Sequence, residues 1–204
     1  MKDYINDTLK YYDDNIDSYK EQWLNDFTKN YNFEIPDIFL SYLSENSHIL
    51  DLGCGTGRDS KYFINKGYQV TSIDGSYEMC NIARSLLKKE VEQINFLDID
   101  YKEKFDGVFA CASLLHLDNE DLIVILKKIS SALKQNGILY TCFKYGDSTR
   151  VDKGRFYNDM NEEKFLDLIK NIENLKILKS WITEQYKSDT KFLNYIIKKR
   201  KFLD

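Results

Sequence analysis

One proline, Pro36, stands among 204 residues, and its isolation excludes a group of catalytic motifs. Flanked by Ile35 and Asp37, it builds neither the Asn/Asp-Pro-Pro-aromatic loop that works on exocyclic base amines nor the Pro-Cys loop of cytosine C5 chemistry. The Pro-Cys-x-x-Cys zinc motif of base deaminases is absent too. Cysteines occur at 54, 80, 111 and 142 with no C-x-x-C pair, which suits free thiols in a reducing compartment rather than a disulfide frame or zinc site. No metal is expected. Long apolar runs are missing, so neither a secretory leader nor a membrane span is expected, and a cytoplasmic location follows. Basic excess is missing as well: 29 Lys and Arg against 33 Asp and Glu give 29 − 33 = −4. Nucleic-acid binding usually needs clustered cationic excess, so a nucleic-acid partner is not expected. What remains, 43% hydrophobic and 30% charged residues, is the composition of one compact domain over residues 1–204.

Residues 4–43 read as helix, carrying an aromatic and aliphatic stripe at Tyr12, Ile16, Tyr19, Trp23 and Phe27, with a break at Asp13-Asp14-Asn15. Then the texture changes. His48 to Leu52 is a short apolar run ending in Gly53-Cys54-Gly55-Thr56-Gly57, followed by a helix from Arg58 to Lys66 closed by Gly67. The pattern repeats: Gln69 to Ile73 is a strand, stopped by Asp74-Gly75, with Ser76 capping a helix to about Lys88. Strands are expected at Ile94–Leu97, Gly107–Cys111 and Gly137–Phe143, with a helix from Asp118 to Leu133 before the last of them. Such alternation implies an α/β doubly wound, mostly parallel sheet. After a helix from Asn161 to about Ile172, Lys176–Thr183 and Lys191–Lys198 read as a terminal antiparallel hairpin.

Glycine at 53, 55 and 57 on a strand-to-helix turn removes side chains where backbone approaches a bound nucleotide-like ligand. Asp74 follows Gly53 by 21 residues, at a strand end where a carboxylate can accept from both ribose hydroxyls. A dinucleotide fingerprint would need glycine at position 58, and Arg58 stands there. Asp51 at the strand end and Arg58 on the first helical turn instead suit a ligand bearing both an ammonium and a carboxylate, such as S-adenosylmethionine.

The run Ile49-Leu50-Asp51-Leu52-Gly53-Cys54-Gly55-Thr56-Gly57-Arg58-Asp59-Ser60 resembles the signature loop of class I S-adenosylmethionine-dependent methyltransferases. Ile73-Asp74-Gly75-Ser76 resembles that family's ribose turn and Leu97-Asp98-Ile99 its adenine turn. Phe105 to His116 resembles its fourth strand and substrate-side loop, and Leu133 to Leu139 its approach to strand five, where Asn136 replaces a usual glycine. Small bacterial enzymes of the methyltransferase-domain and tellurite-resistance types are the nearest in character. The resemblance implies a Rossmann-like fold of seven strands: a helical lid (1–44), a cofactor-binding core (45–145), and a substrate-side loop, helix and hairpin (146–204). It implies S-adenosylmethionine as cofactor and a small-molecule acceptor, in a monomer or homodimer. By position, Asp51, Gly53, Cys54, Gly55 and Arg58 surround the methionine part, with Tyr19 reaching in from the lid. Asp74, Gly75 and Met79 lie at the ribose, Asp98 and Ile99 at adenine, and Ala110 and Cys111 on the floor.

His116, after strand four, is the candidate general base, and Tyr145 a candidate to orient an acceptor lone pair. Tyr12, Trp23, Arg155, Tyr157 and Trp181 are candidates for the acceptor rim, although plain packing accounts equally for the helical stripe. Cys54, Cys111 and Cys142 fall near central strand ends, as small apolar fillers or as thiols facing a soft acceptor. An RNA-modifying methyltransferase and a non-enzymatic dinucleotide-binding module are the rival readings.

Overall fold

A computed structural model describes residues 2–25, 33–184 and 188–200, without the side chains of 22–25. Three helices lead: α1 (Asp3–Asp14), α2 (Ile16–Asn25) and α3 (Glu34–Leu40). The expected break falls at Asn15, whose amide closes back on the Tyr11 carbonyl. The core then alternates: β1 (His48–Leu52), α4 (Arg58–Asn65), β2 (Gln69–Asp74), α5 (Tyr77–Leu87), β3 (Glu92–Gln93), β4 (Phe105–Ala110), α6 (Asn119–Ala132) and β5 (Leu133–Lys144). Next come β6 (Thr149–Asp152), β7 (Arg155–Asn158), α7 (Glu162–Ile169), β8 (Leu175–Glu184) and β9 (Lys191–Lys199).

The main sheet has seven strands in the order β3-β2-β1-β4-β5-β9-β8. Strands β3, β2, β1, β4 and β5 are mutually parallel, and β9 runs antiparallel between β5 and β8. The order reverses at β1 and β4, which opens a crevice above their carboxyl ends.

Alternation along β1 builds both faces. Ile49 joins Phe39, Phe63, Phe109 and Tyr140 on one side, whereas Leu50 and Leu52 join Val108, Leu139 and the apolar edge of α6 on the other. Phe109 stacks on Tyr140 at 4.7 Å and meets Phe63 at 5.0 Å, edge-on. Removing any of these fully buried rings from water is worth about 1.5–3 kcal/mol, so the sheet's centre is its most stable part. Helix starts carry their own caps: Ser76, Asp118 and Asn161 accept from the amides of Met79, Asp121 and Lys164.

Two expectations need correction. The third strand is only Glu92–Gln93, because Asn95 turns the chain by accepting from the Leu97 amide at 2.9 Å, making Phe96–Asp98 a short 3-10 turn. The stretch after β5 is not a loop: β6 and β7 form a separate hairpin, turned at Lys153 and Gly154, both in the left-handed region. At position 136, asparagine takes φ +67°, a conformation it tolerates where glycine would otherwise serve.

Candidate functional site

A cavity of about 260 Å³ lies above the carboxyl ends of β1, β2 and β4. Its floor is the glycine turn. A Cβ on Gly53 would sit 2.5 Å from Cβ of Ser113, so absence of a side chain lets the turn after β4 close against β1. Ser113 Oγ secures that closure by donating to the Leu52 carbonyl at 2.8 Å. Gly55 is the opposite case. At φ +54° its missing Cβ would meet nothing within 4 Å, so bare backbone faces open space.

Asp74 ties this turn to the next: Oδ2 accepts from the Gly55 amide at 2.9 Å and Oδ1 from the Ser76 amide at 2.8 Å. Each oxygen keeps lone-pair capacity for a ligand hydroxyl. Burial pushes its carboxyl above the usual carboxylate range, and the two amides pull the other way. Beneath it Asp51 accepts from Ser60 Oγ at 2.6 Å, and Ser60 in turn contacts Ser72 Oγ at 2.7 Å. Burial and the charge of Asp59 push the Asp51 carboxyl up to about 7. Arg58 is paired with Asp59 at 2.9 Å, so this wall holds three acids to one guanidinium.

Helix α1 roofs the cavity. Leu9 sits where a Cβ on Gly75 would fall, 2.7 Å away, and Asp13 Oδ1 accepts from Ser76 Oγ at 2.5 Å and from the Glu78 amide at 3.1 Å. Further along, Tyr12 meets His116. His116 Nδ1 lies 2.6 Å from the Phe156 carbonyl, which only accepts, so Nδ1 carries the proton and Nε2 receives the Tyr12 hydroxyl at 2.8 Å. Burial lowers the imidazole to about 4 and raises the phenol. Both groups are therefore neutral near pH 7.

Of the residues singled out in the sequence, Gly53, Cys54, Gly55, Arg58, Asp74, Gly75 and Met79 line the cavity, as do Cys111 and His116 opposite them. Tyr12 and Tyr19 line it from the lid. Asp51, Ile99 and Ala110 are buried behind the lining. Asp98 is displaced: it is exposed at the end of the 3-10 turn, and Asn95 and Phe96 take the cavity wall in its place. Tyr145 is 42% exposed and outside the lining, because its amide is drawn to the Lys191 carbonyl at the far end of β5. Trp181, on edge strand β8, packs toward Tyr140 at 6.3 Å, away from the cavity. Arg155 and Tyr157 stand behind the lid. The Arg155 guanidinium stacks 4.3 Å from the Tyr11 ring and 5.3 Å from Tyr157, and donates to the Tyr19 hydroxyl at 3.3 Å. The Trp23 side chain and Phe27 lie outside the described residues. Thr8, Leu9 and Ala112 also line the cavity, and no spacing in the sequence announces them.

Residues 49–137 match the methyltransferase domain family. A putative methyltransferase, YqeM, of Bacillus subtilis (strain 168) is 38% identical over 127 residues, 54% of this chain and 51% of that protein. An uncharacterized methyltransferase of Staphylococcus carnosus (strain TM300) is 28% identical over 161 residues, 71% of this chain and 77% of that one. The chain thus spans about half the length of the Bacillus relative. Among solved structures, the Burkholderia thailandensis 1,6-didemethyltoxoflavin-N1-methyltransferase with bound S-adenosylhomocysteine superposes with a TM-score of 0.77. It is 20% identical, covering 98% of this chain and 92% of that chain, and shares the fold. Sheet order and glycine turn together define a Rossmann-like α/β class. Within that class, the core of the chain is similar to methyltransferase domains, and solved S-adenosylmethionine-dependent methyltransferases share its fold.

Proposed function

We propose that the protein binds S-adenosylmethionine in the cavity under α1 and passes its methyl group to a small-molecule acceptor. The observation that carries this reading is the bare backbone of Gly55 facing open space directly beside the doubly anchored Asp74 carboxylate. These groups fit the cofactor: Asp74 for the ribose hydroxyls, Asn95 and Phe96 for adenine, and the Gly53 turn with Asp51 and Arg58 for the amino-acid end. The cofactor supplies an electrophilic methyl carried on a sulfonium.

The chain's own residues supply position and dryness. Leu9, Tyr12 and Tyr19 close the roof and exclude water, and holding reactants together in a closed site is worth roughly 7–11 kcal/mol of barrier. The carboxylates at 51, 59 and 74 favour a cationic ligand in a buried setting. Because the Tyr12 proton points at His116, the phenol oxygen has only lone pairs to offer the cavity, which suits an acceptor presenting an N–H or O–H. His116 is placed to orient Tyr12; with its Nε2 engaged and its basicity lowered, it is a weak general base.

Calorimetric titration with S-adenosylhomocysteine beside NAD tests the cofactor. Release of homocysteine across a metabolite library, after hydrolysis of the product, identifies the acceptor. The reading predicts S-adenosylhomocysteine binding and turnover with a small acceptor; turnover on RNA alone would replace the acceptor class.

A further inference from the structure

Cys111 directly follows β4 and Cys142 lies in its parallel neighbour β5, each one position beyond the pair formed by Ala110 and Thr141. Both lie on the face that holds Phe109 and Tyr140, Cys142 within that cluster and Cys111 packed against it. Cys142 sulfur also accepts from the Ala112 amide at 3.2 Å. One sulfur of the pair faces the cavity, since Cys111 is half-buried and lines it, whereas Cys142 is enclosed. We propose that Cys111 and Cys142 form an oxidation-sensitive dithiol that closes to a disulfide with peroxide-class oxidants and thereby weakens cofactor binding.

Proximity to Cys111 and the Ala112 amide pull the Cys142 thiol below its ordinary range, against burial, which opposes them. Once the pair has lost one proton to solvent, transfer of the remaining proton from Cys111 to Cys142 puts the anion on the sulfur that faces the cavity. That thiolate attacks one oxygen of hydrogen peroxide, the O–O bond breaks, and the departing hydroxide takes up a proton as water, leaving a sulfenic acid on Cys111. Cys142 sulfur then displaces hydroxide from Cys111 sulfur, giving the S–S bond and, with the Cys142 proton, a second water. Two thiols are oxidised and one peroxide is reduced to two waters.

The route to the cofactor site is short. Ala112 holds φ +51° and gives its amide to Cys142, and the next residue, Ser113, is the one that fills the space above Gly53. A disulfide removes the Ala112 contact and shifts the turn that supports the glycine loop. Only this consequence for binding rests on the cofactor reading; formation of the bond does not.

The experiment treats the reduced full-length protein with hydrogen peroxide and maps its peptides by mass spectrometry, with S-adenosylhomocysteine affinity measured before treatment, after it, and after dithiothreitol. The expected result is a Cys111–Cys142 peptide with S-adenosylhomocysteine binding about tenfold or more weaker, restored by the reductant. Cys142→Ser, whose hydroxyl oxygen can still accept from the Ala112 amide, should bind when reduced and lose the peroxide effect. Absence of that peptide in wild-type protein, a linkage through Cys54 or Cys80, or an unchanged affinity in the linked form would each overturn the proposal. If the reduced protein fails to bind S-adenosylhomocysteine while the disulfide still forms, the cofactor reading fails and the gating claim is overturned with it.

Discussion

The Tyr12 hydroxyl and His116 Nε2, 104 residues apart in the chain, meet at 2.8 Å and leave neither group charged. The contact joins α1 to the turn after β4, so it fixes the roof of the cavity against its wall.

Stability should report this contact through pH. His116 titrates near 4 in the folded chain against about 6.5 when unfolded, so the folded state binds fewer protons in that window. Its contribution is fully present above about 6.5 and is lost as pH falls toward 4, a change of roughly 2–4 kcal/mol. Urea melts of wild type and His116→Gln should therefore converge as pH drops across that range. Parallel curves would show that the imidazole is not held neutral by burial.

Two glycine variants should separate folding from binding. Gly53→Ala forces a methyl against Ser113 and strains a left-handed residue, which costs at least about 1–3 kcal/mol and lowers the melting temperature. Gly55→Ala meets no neighbour, so it should fold with only about 1–2 kcal/mol of backbone strain while losing S-adenosylhomocysteine affinity. Thermal melts paired with calorimetry distinguish the two. Equal affinity in Gly55→Ala and wild type would remove the cofactor from that face.

Around the nucleoside, Asp74→Ala should weaken S-adenosylhomocysteine binding by roughly 1.5–3 kcal/mol, the range for hydrogen bonds to a charged group. Asn95→Ala should weaken it too, whereas Asp98→Ala should leave it unchanged, because Asp98 is exposed outside the cavity. Titration of the three variants checks the assignment, and a loss confined to Asp98→Ala would reverse it.

The carboxyl of Asp51, raised to about 7, carries a proton below that pH and a charge above it. Attraction to the ligand ammonium exists only in the charged form, so S-adenosylhomocysteine affinity should rise as pH increases from about 6 to 8. In Asp51→Asn that rise should vanish. A pH-independent wild-type affinity would place the ammonium elsewhere.

Much of this architecture can be read from spacing. The glycine turn, the acid at position 74 and the short strand-like runs of β1, β2 and β4 are local signals, and the turn and the acid line one cavity. What escaped is non-local or weakly patterned. All four residues of β6 are exposed, so the strand has no buried face to alternate, and only the Lys153-Gly154 turn marks its hairpin. An Asx turn at Asn95 outweighs the apolar Ile94–Leu97 run, and this puts Asn95 and Phe96, not Asp98, on the cavity wall. His116 looked like a free base because no sequence pattern shows that Tyr12 and the Phe156 carbonyl will occupy both its nitrogens.

In the proposed function, the crevice over β1 and β4 holds an amino-acid sulfonium nucleoside. Calorimetry of the purified chain at neutral pH with S-adenosylhomocysteine, and separately with NAD, tests it most directly. One S-adenosylhomocysteine per chain and no heat from NAD are expected. Saturable NAD binding with no S-adenosylhomocysteine binding would contradict it.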